Sequence, residues 1–269
     1  MSKKIGRLGE TSLSNEGCIM KIVEYNNCGD IIIQFEDEHR YKVRTSYKHF
    51  KEGACKNPFY PSAHGHGYLG IDKESNVPKM SEFKDGKYVT TWEYNKWQSM
   101  LRRCFDNKFK EKKPTYKDVI CCDKWLCFAN FLEDLEILKQ EYNWNVDEKL
   151  QLDKDILHKG NKIYSLKNCV LVPSWINLLF IKSDANRGEY PIGVSYHKGA
   201  KKYKAQCRIN GKKISLGYYN TIEEAFNAYK QAKEQEIKRA ANECVSKGYI
   251  TKDSRLYNAM MGYQIKIDD

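Results

Sequence analysis

GVSYHKGAKKYKAQCRINGKKISLGYYNTIEEAFNAYKQA, residues 193–232, is the stretch whose reading decides the fold of the C-terminal part of the chain. Short alternating runs separated by tight turns predict strands at 192–197, 202–209 and 212–218. Thr221-Ile222-Glu223-Glu224 then opens a helix that runs to about Ala241. Glu224 stands three residues after Thr221, the spacing of a capping box. Ala225, Phe226, Ala228, Tyr229 and Ala232 give that helix its packing face. In the middle strand, period-two alternation places Lys202, Lys204, Gln206 and Arg208 on one face. Val194, Tyr203 or Ala205, Cys207, Ile209, Ile214 and Leu216 are left to meet the helix. The expected product is a three-stranded antiparallel sheet backed by a helix.

The charges of this segment are one-sided. Between Tyr190 and Thr221 stand Lys198, Lys201, Lys202, Lys204, Arg208, Lys212 and Lys213, with no Asp or Glu among them. The whole chain of 269 residues carries 46 Lys+Arg against 35 Asp+Glu, a formal net charge of +11. Such a balance points to a polyanionic partner, because Lys and Arg release counterions condensed on phosphates. A basic ribbon on a sheet suits the major groove of duplex DNA, where Arg and Gln reach base edges and Lys holds phosphates. Lys201, Lys202, Lys204, Gln206, Arg208, Lys212 and Lys213 are the expected DNA contacts.

The opening GV, the K-Y-K-A-x-x-R-I strand, the K-x-x-x-L-G-Y-Y strand end and the T-x-E-E-A-x-x-A-Y helix start resemble the AP2/ERF-type DNA-binding domain. The likeness covers about fifty residues and implies a three-stranded sheet lying in the major groove, with Arg208 and Lys204 in contact with base or phosphate. Tyr196–Tyr203 departs from the plant pattern, so no sequence preference carries over.

Upstream, LDKDILHKGNKIYSLKNCVLVPSWINLLF (152–180) predicts strand, loop, strand and helix. The first strand is expected over 150–157 and the second over 169–173. The helix covers 174–180, with Ser174 as its cap. This stretch resembles the ββα-metal motif of HNH nucleases. The resemblance implies that Asp153 and Asn177 ligate a divalent ion, for which hard oxygen donors suit Mg2+ or Mn2+. It makes Asn168 an orienting residue. Lys154 falls at the position of the general base, where a protonated lysine takes no proton from water. Asp155 and His158 are the nearest substitutes, and His158 is the better suited by intrinsic basicity. The flanking text resembles phage-encoded HNH-type proteins: W-x-x-M-L-x-R-C-F from Trp97, and V-x-x-x-D-K-W-L-x-F-x-x-F from Val119. Many of these look like free-standing homing endonucleases, and they often carry an AP2-type appendage.

The N-terminal part reads as small and all-β. CIMKIV (18–23) and DIIIQF (30–35) flank the turn Asn26–Gly29, and a third strand is expected near Arg40–Arg44. This module looks like an SH3-like barrel of the kind found in such phage proteins. His64 and His66 sit among glycines and read as loop histidines. Residues 71–87 read as a linker. From Thr91 a helical period carries Trp92, Trp97, Met100, Leu101 and Cys104, and a second helix is expected from Asp123 to Leu138.

Ten cysteines with irregular spacing and no C-x-x-C read as reduced thiols rather than a disulfide framework. Cys104, Cys121, Cys122 and Cys127 cluster in sequence, but without the paired spacing of a zinc knuckle. The N-terminus has no apolar leader, and no stretch approaches 18 apolar residues. Together these give an α+β chain of four parts: 1–80, a small β module; 81–183, an HNH-like domain; 188–245, an AP2/ERF-like domain; and 246–269, an unplaced tail. The expected function is that of a metal-dependent DNA endonuclease of phage HNH type, acting in the cytoplasm of an infected or host bacterial cell. The alternatives are a non-catalytic DNA-binding regulator on the same scaffold and a protein inhibitor of a host nucleic-acid enzyme. No membrane partner or small-molecule cofactor is expected.

Overall fold

The computed structural model describes residues 6–145, 149–181 and 189–269. The expected linker at 182–189 lies almost wholly outside them. The chain is mixed α+β, with several small sheets and seven α-helices among the described residues. It divides into two compact units, residues 1–134 and 135–269. The boundary falls inside the segment expected to form one domain at 81–183.

The first unit opens with four antiparallel strands in sequential order: β1 (Thr11–Leu13), β2 (Ile19–Asn27), β3 (Asp30–Phe35) and β4 (Lys42–Thr45). Met20, Ile22, Ile31, Ile33 and Phe35 alternate onto one face, and Phe50 of α1 (Tyr47–Lys51) joins them in a core. The sheet is open. β1 and β4 are short and lie at opposite edges, so among the described residues no strand pair closes a barrel. The expected SH3-like barrel is therefore not formed.

The stretch read as a linker holds the first strand and the turn of a hairpin, β5 (Ser81–Lys84) and β6 (Lys87–Thr90). Its turn is Asp85-Gly86, both at positive φ, the strongest short hairpin signal a sequence carries. Helix α2 (Trp92–Phe105) starts where expected, with Thr91 Oγ1 accepting the Tyr94 N–H. A short α3 (Asn107–Lys112) and the two-residue β7 (Ile120–Cys121) follow. The helix expected over 123–138 is broken: a 3-10 turn at Asp123–Leu126 precedes α4 (Phe128–Gln140). The reason is the pair of polar bonds that seat Trp125. Its Nε1 donates to the buried Asp134 carboxylate at 2.7 Å, and its carbonyl accepts the Trp97 Nε1–H at 2.8 Å.

The second unit contains β8 (Leu150–Asp153), β9 (Ile163–Tyr164), β10 (Val170–Pro173) and α5 (Ser174–Phe180). Next come β11 (Val194–His197), β12 (Lys202–Ile209), β13 (Lys212–Tyr219), α6 (Ile222–Ser246) and α7 (Arg255–Met261). β8 and β10 pair antiparallel, Asp153 opposite Val170, and α5 packs on both. Strand β8 ends at Asp153, four residues earlier than expected. Pro173, not Ser174, is the N-cap of α5, and the Ser174 hydroxyl donates to the Lys149 carbonyl instead.

Helix α6 has 25 residues, about 37 Å at 1.5 Å per residue. Its first turns, with Ala225, Phe226 and Tyr229, cover the β11–β13 sheet. Its later turns bury Ile237, Ala240, Ala241 and Cys244 against Val170, Val172 and Ile176. Leu256 and Met260 of α7 complete that second core. The tail that had no place in the sequence reading is thus a core element.

Candidate functional site

Strand pairing shows which side chains share the sheet's exposed face. Ser195 is opposite Lys204, His197 is opposite Lys202, and Arg208 is opposite Lys213. Gln206 faces Ser215 and Lys204 faces Tyr218. Residues opposed across an antiparallel pair point the same way, so Lys202, Lys204, Gln206, Arg208 and Lys213 lie on one face, as expected. Lys201 sits in the β11–β12 turn at positive φ. Lys212 is opposite Ile209 and takes the parity of the helix side. These two expected contacts are exposed but do not share the face.

Four residues of this face were not foreseen: Ser195, His197, Ser215 and Tyr218. The register slips between Ala205 and Gln206, leaving Leu216 as the extra residue on β13, with Gly217 at φ +130°. Such a bulge reverses the alternation beyond it. Simple counting puts Tyr218 with Ile214 and Leu216 toward the helix. The bulge turns it outward, and Tyr219 turns inward to join the core. Tyr218 stacks edge-on with His197 at 5.1 Å between centroids, and the Lys204 ammonium lies 5.8 Å from its ring. Ile214, opposite the buried Cys207, keeps the helix-side parity expected of it but is 40% exposed.

The hairpin is seated on α6 by a buried carboxylate. Glu236 accepts the Asn210 N–H at 2.8 Å and two bonds from Arg239. Burial alone would raise its pKa, but the guanidinium and the N–H outweigh it and hold the carboxyl below its ordinary range. Gly193 approaches α6 so closely that a Cβ there would lie 2.0 Å from the Tyr229 ring.

In the ββα segment, Asp153 ends β8. Its Oδ1 accepts the Asp155 N–H at 2.7 Å and the Ile156 N–H at 2.9 Å. Oδ2 accepts no hydrogen bond among the described residues. Burial pushes this carboxyl's pKa up, against the pull of the two N–H groups. Lys154 is buried and donates to both Asp155 oxygens at 2.7 Å and to the Asn161 carbonyl at 2.9 Å. An ammonium donating to three oxygens has no lone pair for water. Asn161, within the loop expected between the two strands, is the hub of that loop. Its amide donates to the carbonyls of Lys154 and Ile163, and its Oδ1 accepts from Asn168. Asn168 therefore orients Asn161 rather than a histidine. His158 is exposed in the same loop, and Asn177 is half-buried on α5.

The tail fastens this loop. Arg255 of α7 donates to the carbonyls of Leu166, Lys167 and Cys169 while paired with Glu141. Lys159 binds the Gln264 carbonyl and the Asp269 carboxylate.

As a metal site, the donor set is spare. Asp153 offers one carboxylate oxygen without a protein partner, and Asn177 offers an amide oxygen. Among the described residues, no three His, Cys, Asp or Glu side chains converge. Mg2+ is commonly held by one or two carboxylates, with water and phosphate completing its shell, and Asp153 supplies one such carboxylate. The Cys121 thiol, hydrogen-bonded to Cys104 and buried, is pushed far up, and burial raises Cys122 and Cys127.

Comparison with family models, with curated proteins and with solved structures gives no match.

Proposed function

We propose that this protein binds duplex DNA through the exposed face of β11–β13 and acts on it at the ββα unit as a metal-dependent endonuclease of HNH type. The observation that carries the DNA reading is the continuous face of Lys202, Lys204, Gln206, Arg208 and Lys213, with Tyr218 and His197 between them and no acid among the strand residues. Replacing Lys202 and Lys204 by Ala should weaken binding to any duplex and reduce its salt dependence, each lost phosphate contact lowering the slope by about one. Fluorescence anisotropy across a salt series measures this. Affinity that is indifferent to salt would favour a protein partner instead.

The endonuclease reading is supported by the strand–loop–strand–helix path that sets Asp153 at a strand end with Oδ2 open and Asn177 on the packed helix. Mg2+ or Mn2+ bound there would supply Lewis-acid stabilisation of the phosphodiester transition state. Asp153 and Asn177 would hold it. With Lys154 committed, Asp155 and His158 are the side chains left to activate water. Purified protein should nick plasmid DNA with either ion, and Asp153→Ala should not. A second reading has its own observation, the three acceptors around Lys154. It makes the ββα unit a non-catalytic scaffold of a DNA-binding regulator. Absence of nicking with both ions, with duplex affinity intact, selects it.

A further inference from the structure

The second unit contains a cleft of about 1060 Å3. Sites that enclose a drug-sized ligand span roughly 300–1000 Å3, so there is room for more than one nucleotide. Its lining divides by chemistry. Helix α5 contributes Trp175, Leu178 and Leu179, while the sheet and α6 contribute Arg208, Lys213 and Lys233. Arg208 and Lys213 belong to the exposed face already described, so cleft and face are continuous. The two acids in the lining are already paired: Glu236 with Arg239 and the Asn210 N–H, Glu243 with Arg239 and Lys247. The three remaining cations have no carboxylate within ion-pair distance among the described residues. Lys233 is half-buried and donates no hydrogen bond there. Burial pulls its pKa down, with Arg208 adding repulsion, against the attraction of Cys207 and of Glu236, whose carboxylate is hydrogen-bonded elsewhere. A half-buried cation with no direct ion pair gains from a bound anion.

The apolar lining narrows the ligand. Leu178 is 63% exposed and Ile181, also in the lining, 51%. A duplex offers phosphates and groove edges, with its base faces stacked out of reach. Apolar and aromatic surface finds a partner in a strand whose bases are free.

We propose that this cleft receives an unpaired stretch of a DNA strand, its bases against α5 and its phosphates on Lys233, Arg208 and Lys213. The inference rests on the DNA-binding reading and adds the form of the substrate: duplex on the sheet, single strand in the cleft.

The test compares a blunt duplex with the same duplex carrying a tail of about eight nucleotides, a length within single-strand site sizes. Anisotropy is read on the full chain without divalent ion. The tailed duplex should bind about tenfold tighter, a gain within the range that one stacked base supplies. Lys233→Gln and Leu178→Ser should each remove most of this gain and leave blunt-duplex affinity unchanged, while Lys233→Arg keeps the gain. Equal affinity for both DNAs in the unaltered protein overturns the proposal. So does a Lys233→Gln loss that is the same for blunt and tailed DNA. Failure of the duplex reading shows separately, as absent blunt-duplex binding. In that case the cleft stands if tail binding remains, and falls if it does not.

Discussion

Oδ1 of Asp153 takes two backbone N–H groups, so substitutions there separate structure from chemistry. Asp153→Asn keeps both bonds and removes a charge that burial disfavours. It should be at least as stable as the parent at pH 7 in urea unfolding, yet fail to nick DNA. Asp153→Ala leaves two donors unpaired and should lose about 1–3 kcal/mol. Lys154 is the converse case. Lys154→Met strands the Asn161 carbonyl and the Asp155 carboxylate. Asp155 is half exposed and can turn to water, so the loss should be near 1–2 kcal/mol rather than that of a fully buried pair. The resemblance to the HNH motif named Asp153, Lys154, Asn168 and Asn177 but not Asn161. An Asn after Gly reads as turn chemistry, and nothing in a linear pattern shows that its amide ties together the carbonyls of Lys154 and Ile163, nine residues apart.

At the scale of elements, the capping box of α6 is present as its spacing implied, with Thr221 Oγ1 accepting the Glu224 N–H and Glu224 returning a bond. Thr221→Ala should cost about 1 kcal/mol, read as a lower thermal midpoint. Glu236 gives a pH signature. Its folded pKa lies below the ordinary 4.5. The stability it contributes is therefore complete above about 4.5 and is lost as pH falls through the lower folded value. Glu236→Gln should flatten the acid side of a stability–pH profile, lowering stability more at pH 7 than at the acid edge. The strands of the basic sheet were legible because alternation and turns agree there. The facing of Tyr218 was not, because a bulge is set by register against β12, which the sequence of β13 does not contain. The β5–β6 hairpin carried its signal in Asp85-Gly86, but the polar residues before it, 71–80, gave no alternation to support it.

For the whole molecule, the expectation of separable modules meets a shared helix. Both cores of the second unit draw on α6, and the ββα loop is tied to α7 and the last residues. Deleting residues 251–269 removes Leu256, Met260 and Arg255 together. Each buried large apolar residue is worth about 1.5–3 kcal/mol, so the deletion should abolish near-UV circular dichroism from the ββα core, although it spares all expected site residues. A fragment ending at 245 should behave the same way. Pattern reading missed this because the tail's apolar residues are few and irregularly spaced, and only the long α6 gives them something to cover.

The length of α6 also fixes a measure. About thirteen residues separate the middle of its sheet-facing turns from the middle of its ββα-facing turns, roughly 20 Å at 1.5 Å per residue. Along B-DNA at 3.4 Å per base pair that is on the order of six base pairs. An unbroken helix keeps such a span constant, and under the proposed endonuclease function it would act as a ruler. Where the sheet settles, any cut would fall at one set offset, and targets with bases inserted between the bound and cut positions would be cut at the same distance, not at the same sequence.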